Sequence, residues 1–395
     1  MMHTLLTTES KCCGCGVCAL ECPADAIEMV PGELGSLYPK VDTQKCIDCQ
    51  KCVKSCAYQT QRESEHVPLQ AFAAVAADKK LLRKSASGGV FATLAGAILD
   101  AGGAVFGCAM EEDGGVLTPR HICIESRKDL VKLQGSKYVQ SELGDTFTKI
   151  KQQLLQGRTV LFSGTPCQVD ALKKYTQGVC SGKLYTIDLI CHGVPSIKLF
   201  QDYLAQLCKR PMTEFYFRDK TFGWGLTAKY AYTNKKGMKK EALLPSDVSS
   251  YYSYFLSSET YRQSCYTCRY TNLSRVGDIT IGDFWGVERE HPGFEQDVSE
   301  GVSAILVNTP EGSQLLENYG QTLCLKETTP DRVAKWNKQL RAPSAHTALR
   351  QEIAEQYEKN GYAGVEAQFR NKLGLRYCIK KLKYTCKKWV RKLGI

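Results

Sequence analysis

Eight cysteines near the amino terminus carry the plainest chemistry in the chain. In KCCGCGVCALECP, Cys12, Cys15, Cys18 and Cys22 stand at C-x2-C-x2-C-x3-C, closed by Pro23. KCIDCQKCVKSCA repeats the spacing with Cys46, Cys49, Cys52 and Cys56. A [4Fe–4S] cube needs four thiolates at its corners. In this doubled pattern three come from one tight loop and the fourth from the other run. One cube therefore takes Cys12, Cys15, Cys18 and Cys56, and the other takes Cys46, Cys49, Cys52 and Cys22. A zinc ribbon fits poorly, because it pairs one C-x2-C with a distant C-x2-C or a His pair. Ala57 stands where a second Pro is usual, and Cys13 is an extra thiol that reads as structural.

Four further thiols can form a second set. Cys167 lies in GTPC, Cys191 in CHGVP, and Cys265 and Cys268 form a C-x2-C pair in SCYTCRY. They could hold a third [4Fe–4S] cluster, or a four-cysteine zinc ion. Cys167 would open a helix, whose N-terminal partial charge lowers a thiol pKa. A catalytic Cys167 would have only His192 nearby as a base, and His192 reads better as a hydrogen-bonded core residue. Cys108, Cys123, Cys180, Cys208, Cys324, Cys378 and Cys386 read as buried structural cysteines.

Two loops could hold an anion. KSASGGVF places Lys84, Ser85, Ser87, Gly88 and Gly89 directly before a helix, where backbone N–H groups and hydroxyls would face a phosphate. GSKYVQS offers Ser136, Lys137 and Tyr138, a hydroxyl, a cation and an aromatic face in sequence. A helix cap and a polar turn explain the two loops equally well. No G-x-G-x-x-G follows a strand, so the usual dinucleotide fingerprint is absent.

The elements that must position these residues alternate clearly. AFAAVAAD (71–78) reads as a buried strand and SGGVFATLAGAILDAGG (87–103) as a helix. GAVFGCAM and VLTPRHICIE read as strands. Ser126 could cap a helix in SRKDLVKL, and LGDTFTKIKQQLLQG reads as another helix. From residue 158, RTVLFSG, PCQVDALKKYTQ, LYTIDLICHG and PSIKLFQDYLAQLCKR read strand, helix, strand, helix. That order implies a parallel pair with a right-handed crossover, with ligands outside the carboxyl ends of the strands. Cys167 and Cys191 fall at those ends, so their side chains can converge. Pro166 and Pro195 sit where a first helical turn accepts Pro. Short aromatic strands around FYFRDKTFGWG, then DITIGDFWG and SAILVN, precede helical segments from about residue 330. Trp224, Lys220 and Trp285 read as packing or turn residues.

Length and composition bound the rest. A chain of 395 residues, 43% hydrophobic and 24% charged, forms two or three globular domains. The start, MMHTLLTTESKCC, has neither a basic nor an apolar leader segment, and no stretch is apolar for long enough to span a bilayer. Twenty cysteines are then expected to serve as metal ligands in the cytoplasm rather than as disulfides. The net charge of +11 is concentrated in residues 370–395, which hold ten Lys or Arg and no acid. The neutral remainder argues against nucleic acid as a partner. From Leu375 the apolar residues Leu375, Ile379, Leu382, Cys386, Trp389 and Leu393 recur at helical spacing among Lys380, Lys381, Lys383, Lys387, Lys388, Arg391 and Lys392. Such a helix can contact the inner face of a membrane, dock on the body, or dock on an acidic partner.

Taken together, KSASGGVF, GSKYVQS, LFSGTPCQVDAL, DLICHGVPS, FRDKTFGW and SCYTCRYTNLSRVGDITIGDFWG resemble the beta subunit family of coenzyme F420 hydrogenase and dehydrogenase. The front resembles the two-cluster ferredoxin domain fused to many members. The resemblance implies an oxidoreductase with FAD and a [4Fe–4S] cluster in its main domain. It makes Cys167, Cys191, Cys265 and Cys268 the cluster ligands, and the loops with Ser87, Gly88, Gly89, Ser136 and Lys137 the flavin cradle. It does not imply that the deazaflavin coenzyme is the substrate. The expected fold is α/β (α+β overall). It comprises a ferredoxin-type domain over 1–62, a mixed α/β flavin-binding domain with parts 70–155 and 156–330, and a helical, basic tail over 331–395. The function expected is movement of electrons between a ferredoxin or other redox partner protein and an FAD-linked site for an unknown small molecule. A relay subunit of a larger complex, without a substrate site of its own, is the alternative.

Overall fold

The computed structural model describes residues 10–60, 67–294 and 297–392, with side chains described as far as residue 384. Most of the linker expected at QTQRESEHVP, and the side chains of Cys386, Trp389 and Leu393, lie outside that range. The front segment is a hairpin, β1 (Ile27–Pro31) against β2 (Leu37–Val41), flanked by the two cysteine runs. The main body is an eight-stranded sheet, and behind it stands a three-stranded antiparallel sheet of β8 (Met212–Tyr216), β9 (Thr227–Thr233) and β10 (Lys239–Pro245).

Four central strands of the large sheet are parallel neighbours: β4 (Ala104–Asp113), β6 (Thr159–Gly164), β7 (Lys183–Leu189) and β11 (Ile279–Asp283). Antiparallel strands flank them. β5 (Val116–Ile124) pairs with β4 on one side, and β12 (Ser303–Val307), β3 (Gln70–Ala76) and β13 (Leu323–Thr328) extend the other. β6 shows why the centre is parallel. Val160, Leu161 and Phe162 are all fully buried, an apolar run that only a strand covered on both faces tolerates. Leu161 joins Leu94, Ile98 and Ile187 on one face, where the helix Val90–Asp100 packs. Val160 and Phe162 point the other way, to Phe147, Ile150 and Leu172 on the helices Thr146–Leu155 and Pro166–Tyr175. The mixed α/β class and the helical carboxyl end agree with expectation.

Local chemistry fixes the turns that leave β6 and β7. In the first, Pro166 occupies the first helical position, and the Thr165 N–H donates to Gln168 Oε1 at 3.0 Å. In the second, Ser196 caps the helix Ile197–Leu207 by accepting from Leu199 N at 3.0 Å. Pro195 therefore precedes the cap instead of opening the helix, a shift caused by the hydroxyl one residue later. Ser126 makes no side-chain cap bond, and SRKDLVKL forms only a 3-10 turn and the short helix Leu130–Leu133.

A buried ion pair ties the strand ends together. Asp188, at the end of β7 and without solvent exposure, accepts from Arg275 Nη2 at 2.8 Å and from Gly277 N at 2.8 Å. Arg275 also donates to Leu189 O at 3.0 Å and to Thr280 Oγ1 at 3.1 Å. The loop carrying Cys265 and Cys268 is thereby pulled to the carboxyl end of β7. Replacing Asp188 with Ala leaves a buried guanidinium without its counter-charge, a loss of about 3–5 kcal/mol that is read as a lower urea midpoint. An unchanged midpoint would show that the pair does not organise the loop.

His121 on β5 is held between Ser163 O (3.0 Å) and Ser141 Oγ (2.8 Å) and stacks on Phe162. Burial pushes its pKa down to about 4. As pH falls below the ordinary histidine value, the unfolded chain binds the proton first, so stability present near neutrality is lost as pH falls towards 4. Between pH 7 and pH 5 this single ring is expected to account for about 2 kcal/mol of lost stability. In urea titrations at the two pH values, His121→Gln should remove that share of the slope.

Candidate iron–sulfur and cofactor site

The two cysteine runs fold alike. Gly14 and Gly16 have φ of +68° and +75°, and their counterparts Asp48 and Gln50 adopt +55° and +61°. The repeated left-handed residues give the two loops the same curl, and Gly14 N donates to Cys12 Sγ at 3.3 Å. Cys18 lies within electrostatic reach of Cys12 and Cys56, while Cys52 lies within reach of Cys22 and Cys49. Cys18 is also within reach of Cys52, so the two runs lie side by side. Burial raises the Cys18 thiol to about 12, whereas Cys46 and Cys49 are exposed at the outer rim.

The second thiol set gathers deeper in the chain. Cys191 feels the charges of Cys265, Cys167 and Cys268, and burial pushes its pKa well up. Burial also raises Cys265 to about 12 and Cys268 to about 11. Cys167, expected to be acidified by its helix end, is instead raised, first by the neighbouring Cys13 thiol and then by burial. One helix terminus does not offset removal from water together with a thiol neighbour. Cys13 is therefore more than an inert filler. It lies beside both Cys15 and Cys167, between the two thiol sets. Among the described residues no three His, Cys, Asp or Glu side chains are gathered as tightly as a single metal ion requires.

Arginines fasten the front segment over this set. Arg262 donates from Nε to Cys12 O at 2.7 Å and from Nη1 to Gln140 Oε1 at 3.1 Å, while Gln140 Nε2 reaches Cys13 O at 3.2 Å. Arg269 donates to Ala57 O at 2.7 Å and to Asp170 at 3.0 Å, with its guanidinium over Tyr58. Cys15, Val17 and Tyr58 from the front then share one apolar cluster with Cys167, Cys268 and Tyr270.

A cavity of about 470 Å³ opens at the carboxyl ends of β4, β6, β7 and β11. Cys13, Cys167 and Cys191 line it together with Ser85, Ser87, Gly89, Ser136, Lys137 and Tyr138. Gly88 does not line it. A Cβ there would stand 2.1 Å from Ala74 O, so this glycine serves close packing on β3. The hydroxyls of Ser85 and Ser87 donate to Leu81 O and Val302 O, both at 2.9 Å, and the N–H groups of Ser85 and Gly88 are bonded to Leu82 O and Ser303 Oγ. The helix Val90–Asp100 has no side-chain cap, and Gly89, Val90 and Phe91 at its start face the cavity. Lys137 Nζ is held by Lys132, Leu133 and Gln134 carbonyls at 2.9–3.3 Å, and burial lowers its pKa to about 8. Tyr138 is a wall: it stacks on Phe255 at 4.6 Å and accepts from Arg218 Nη1 at 3.1 Å.

Other placements depart from the sequence reading. Cys180 and Cys378 are exposed, and Cys108 lines the cavity. His192 also lines it, with Gln339 Nε2 2.9 Å from its Nδ1. Trp285 reaches the cavity and stacks on Trp224 at 4.7 Å, while Lys220 Nζ pins Ser87 O at 3.2 Å and Leu82 O at 2.8 Å. Gln140 and Arg262 carried no spacing signal, although Gln140 falls inside GSKYVQS.

Comparison with known proteins finds three family models along the chain. A family model described as 4Fe-4S dicluster domain matches residues 11–60. Two further models describe the amino-terminal and carboxyl-terminal parts of the coenzyme F420 hydrogenase/dehydrogenase beta subunit, and they match residues 71–147 and 157–333. One subunit of the Na(+)-translocating ferredoxin:NAD(+) oxidoreductase complex of Acetobacterium woodii is 53% identical over 45 residues, 11% of this chain and 12% of that protein. The matched stretch is therefore a small part of that relative's own length. A chain of the F420-reducing [NiFe] hydrogenase complex from Methanosarcina barkeri is 18% identical, with a TM-score of 0.47 over 76% of this chain and 96% of its own. The protein belongs to the coenzyme F420 hydrogenase/dehydrogenase beta subunit family of oxidoreductases, with a 4Fe–4S dicluster domain at its front.

Proposed function

We propose that the chain is an iron–sulfur flavoprotein holding three [4Fe–4S] clusters and one FAD. In this reading electrons pass between a ferredoxin-type partner at the exposed rim and a reducible small molecule at the cavity. The observation that carries the reading is continuity. Cys13 and Cys167 line the same cavity as the glycine–serine loop, and Cys13 also lies beside Cys15 of the front set.

The donor sets suit these groups. Cys12, Cys15, Cys18 and Cys56 would hold one cube, Cys46, Cys49, Cys52 and Cys22 a second, and Cys167, Cys191, Cys265 and Cys268 the third. The uncapped start of Val90–Asp100 offers N–H groups and a positive helix end to a pyrophosphate. The cavity volume lies within the range usual for cofactor sites. A bound flavin supplies the exchange between single electrons and hydride pairs that iron–sulfur centres lack. The chain's own residues orient and enclose it. Lys220 fixes the Ser87 loop, Tyr138 and Phe255 form an apolar wall, and Arg262 and Arg269 seal the front segment against water. The rim stays open because Cys46 and Cys49 are exposed.

A relay role without a substrate site is the second reading, favoured by the name of the Acetobacterium relative, which belongs to a complex of several chains. Oxygen-free purification with iron, sulfide and flavin quantified tests the first. It should give about twelve irons and one FAD per chain. Cys265→Ala should remove about a third of the iron and leave the ferredoxin-type electron paramagnetic resonance signals. Full iron retention would defeat the third site, and a colourless chain would defeat the whole assignment.

A further inference from the structure

The helix Leu375–Lys392 rests on the body by one face and leaves another bare. Its inner face carries Tyr377 beside Phe369, Tyr384 beside Phe222, and Lys380 paired with Asp247 at 3.3 Å. The apolar stripe faces outward: Leu375, Ile379 and Leu382 are 83%, 53% and 65% exposed. The contacts that hold the helix in place are therefore not the ones its strongest periodicity supplies. Three aliphatic side chains at i, i+4 and i+7 remain uncovered among exposed Arg376, Lys381 and Lys383.

We propose that this face is a peripheral binding surface for anionic lipid. Leu375, Ile379 and Leu382 enter the boundary between headgroups and acyl chains, and the surrounding Lys and Arg meet lipid phosphates. Charge singles out this occupant. Residues 370–395 hold ten basic side chains and no acid, a uniform sign that suits a field of anions and gives no alternating pattern for a partner helix. A second copy of the chain would bring the same positive face against this one. The helix is about 27 Å long, enough to lie flat along a surface, and no described helix is long and apolar enough to cross one.

The test uses the full chain, purified without oxygen, sedimented with phosphatidylcholine vesicles and with vesicles also containing phosphatidylglycerol. Pelleting should require the anionic lipid and weaken with salt. Replacing Leu375, Ile379 and Leu382 together with Glu should lower partitioning by ~10-fold or more, without changing visible absorbance. Lys381→Gln with Lys383→Gln should keep the stripe but reduce the salt dependence. Equal pelleting of the triple variant would overturn the assignment. So would absence of binding to anionic vesicles, retention by an acidic protein in place of lipid, or a self-associated chain that the triple variant disperses.

Discussion

The organisation of the molecule depends on one buried cation. Arg262 is 1% exposed, and a guanidinium in that position is tolerated only when its donors are satisfied. It meets Cys12 O, Leu37 O and Gln140, and lies over the Tyr38 ring at 4.3 Å. Its own backbone N–H reaches Val194 O, and its carbonyl accepts from Cys265 N. One residue therefore joins the first cysteine run, the front hairpin, the turn after β7 and the C-x2-C loop. Gly14 makes this approach possible, because a Cβ there would stand 2.5 Å from the Arg262 side chain. Lys could not serve the same purpose, since a single ammonium lacks the planar fork of donors that reaches several acceptors at once.

Much of the fold was legible because its signals are periodic or tightly spaced. The apolar run of β6, the turns after Gly164 and Leu189, and the repeated cysteine spacing each reflect a local geometric requirement. Convergence of Cys167 and Cys191 followed from two parallel strands ending at the same edge. What stayed hidden depends on single side chains acting across long sequence separations. Arg262 touches a residue 250 positions away, and no period announces it. The position of Cys13 depends on how the front segment is docked, so the sequence offered only an extra thiol. The raised pKa of Cys167 has a related cause: its helix end is visible in the sequence, but its burial and the Cys13 neighbour are not.

The cavity loops illustrate a different limit. Ser85, Ser87 and Lys137 have the residue types of an anion site, yet their side chains are occupied by main-chain carbonyls. In each case the side chain satisfies backbone groups that a tight loop leaves exposed. Lys220 does the same from another element, bonding Leu82, Ser87 and Glu300 carbonyls, and burial lowers its pKa to about 8. The polar residues thus set the loop shape.

Exposure separates the rim from the rest: Cys46 and Cys49 meet solvent, whereas Cys12, Cys15, Cys18, Cys191 and Cys265 are partly covered. Charge held in a dry interior interacts more strongly with its surroundings than charge in water. The cover over the inner thiols rests on Arg262 and Arg269 holding the front segment in place. Loss of that docking would admit water to the inner thiols while leaving each loop's own spacing intact.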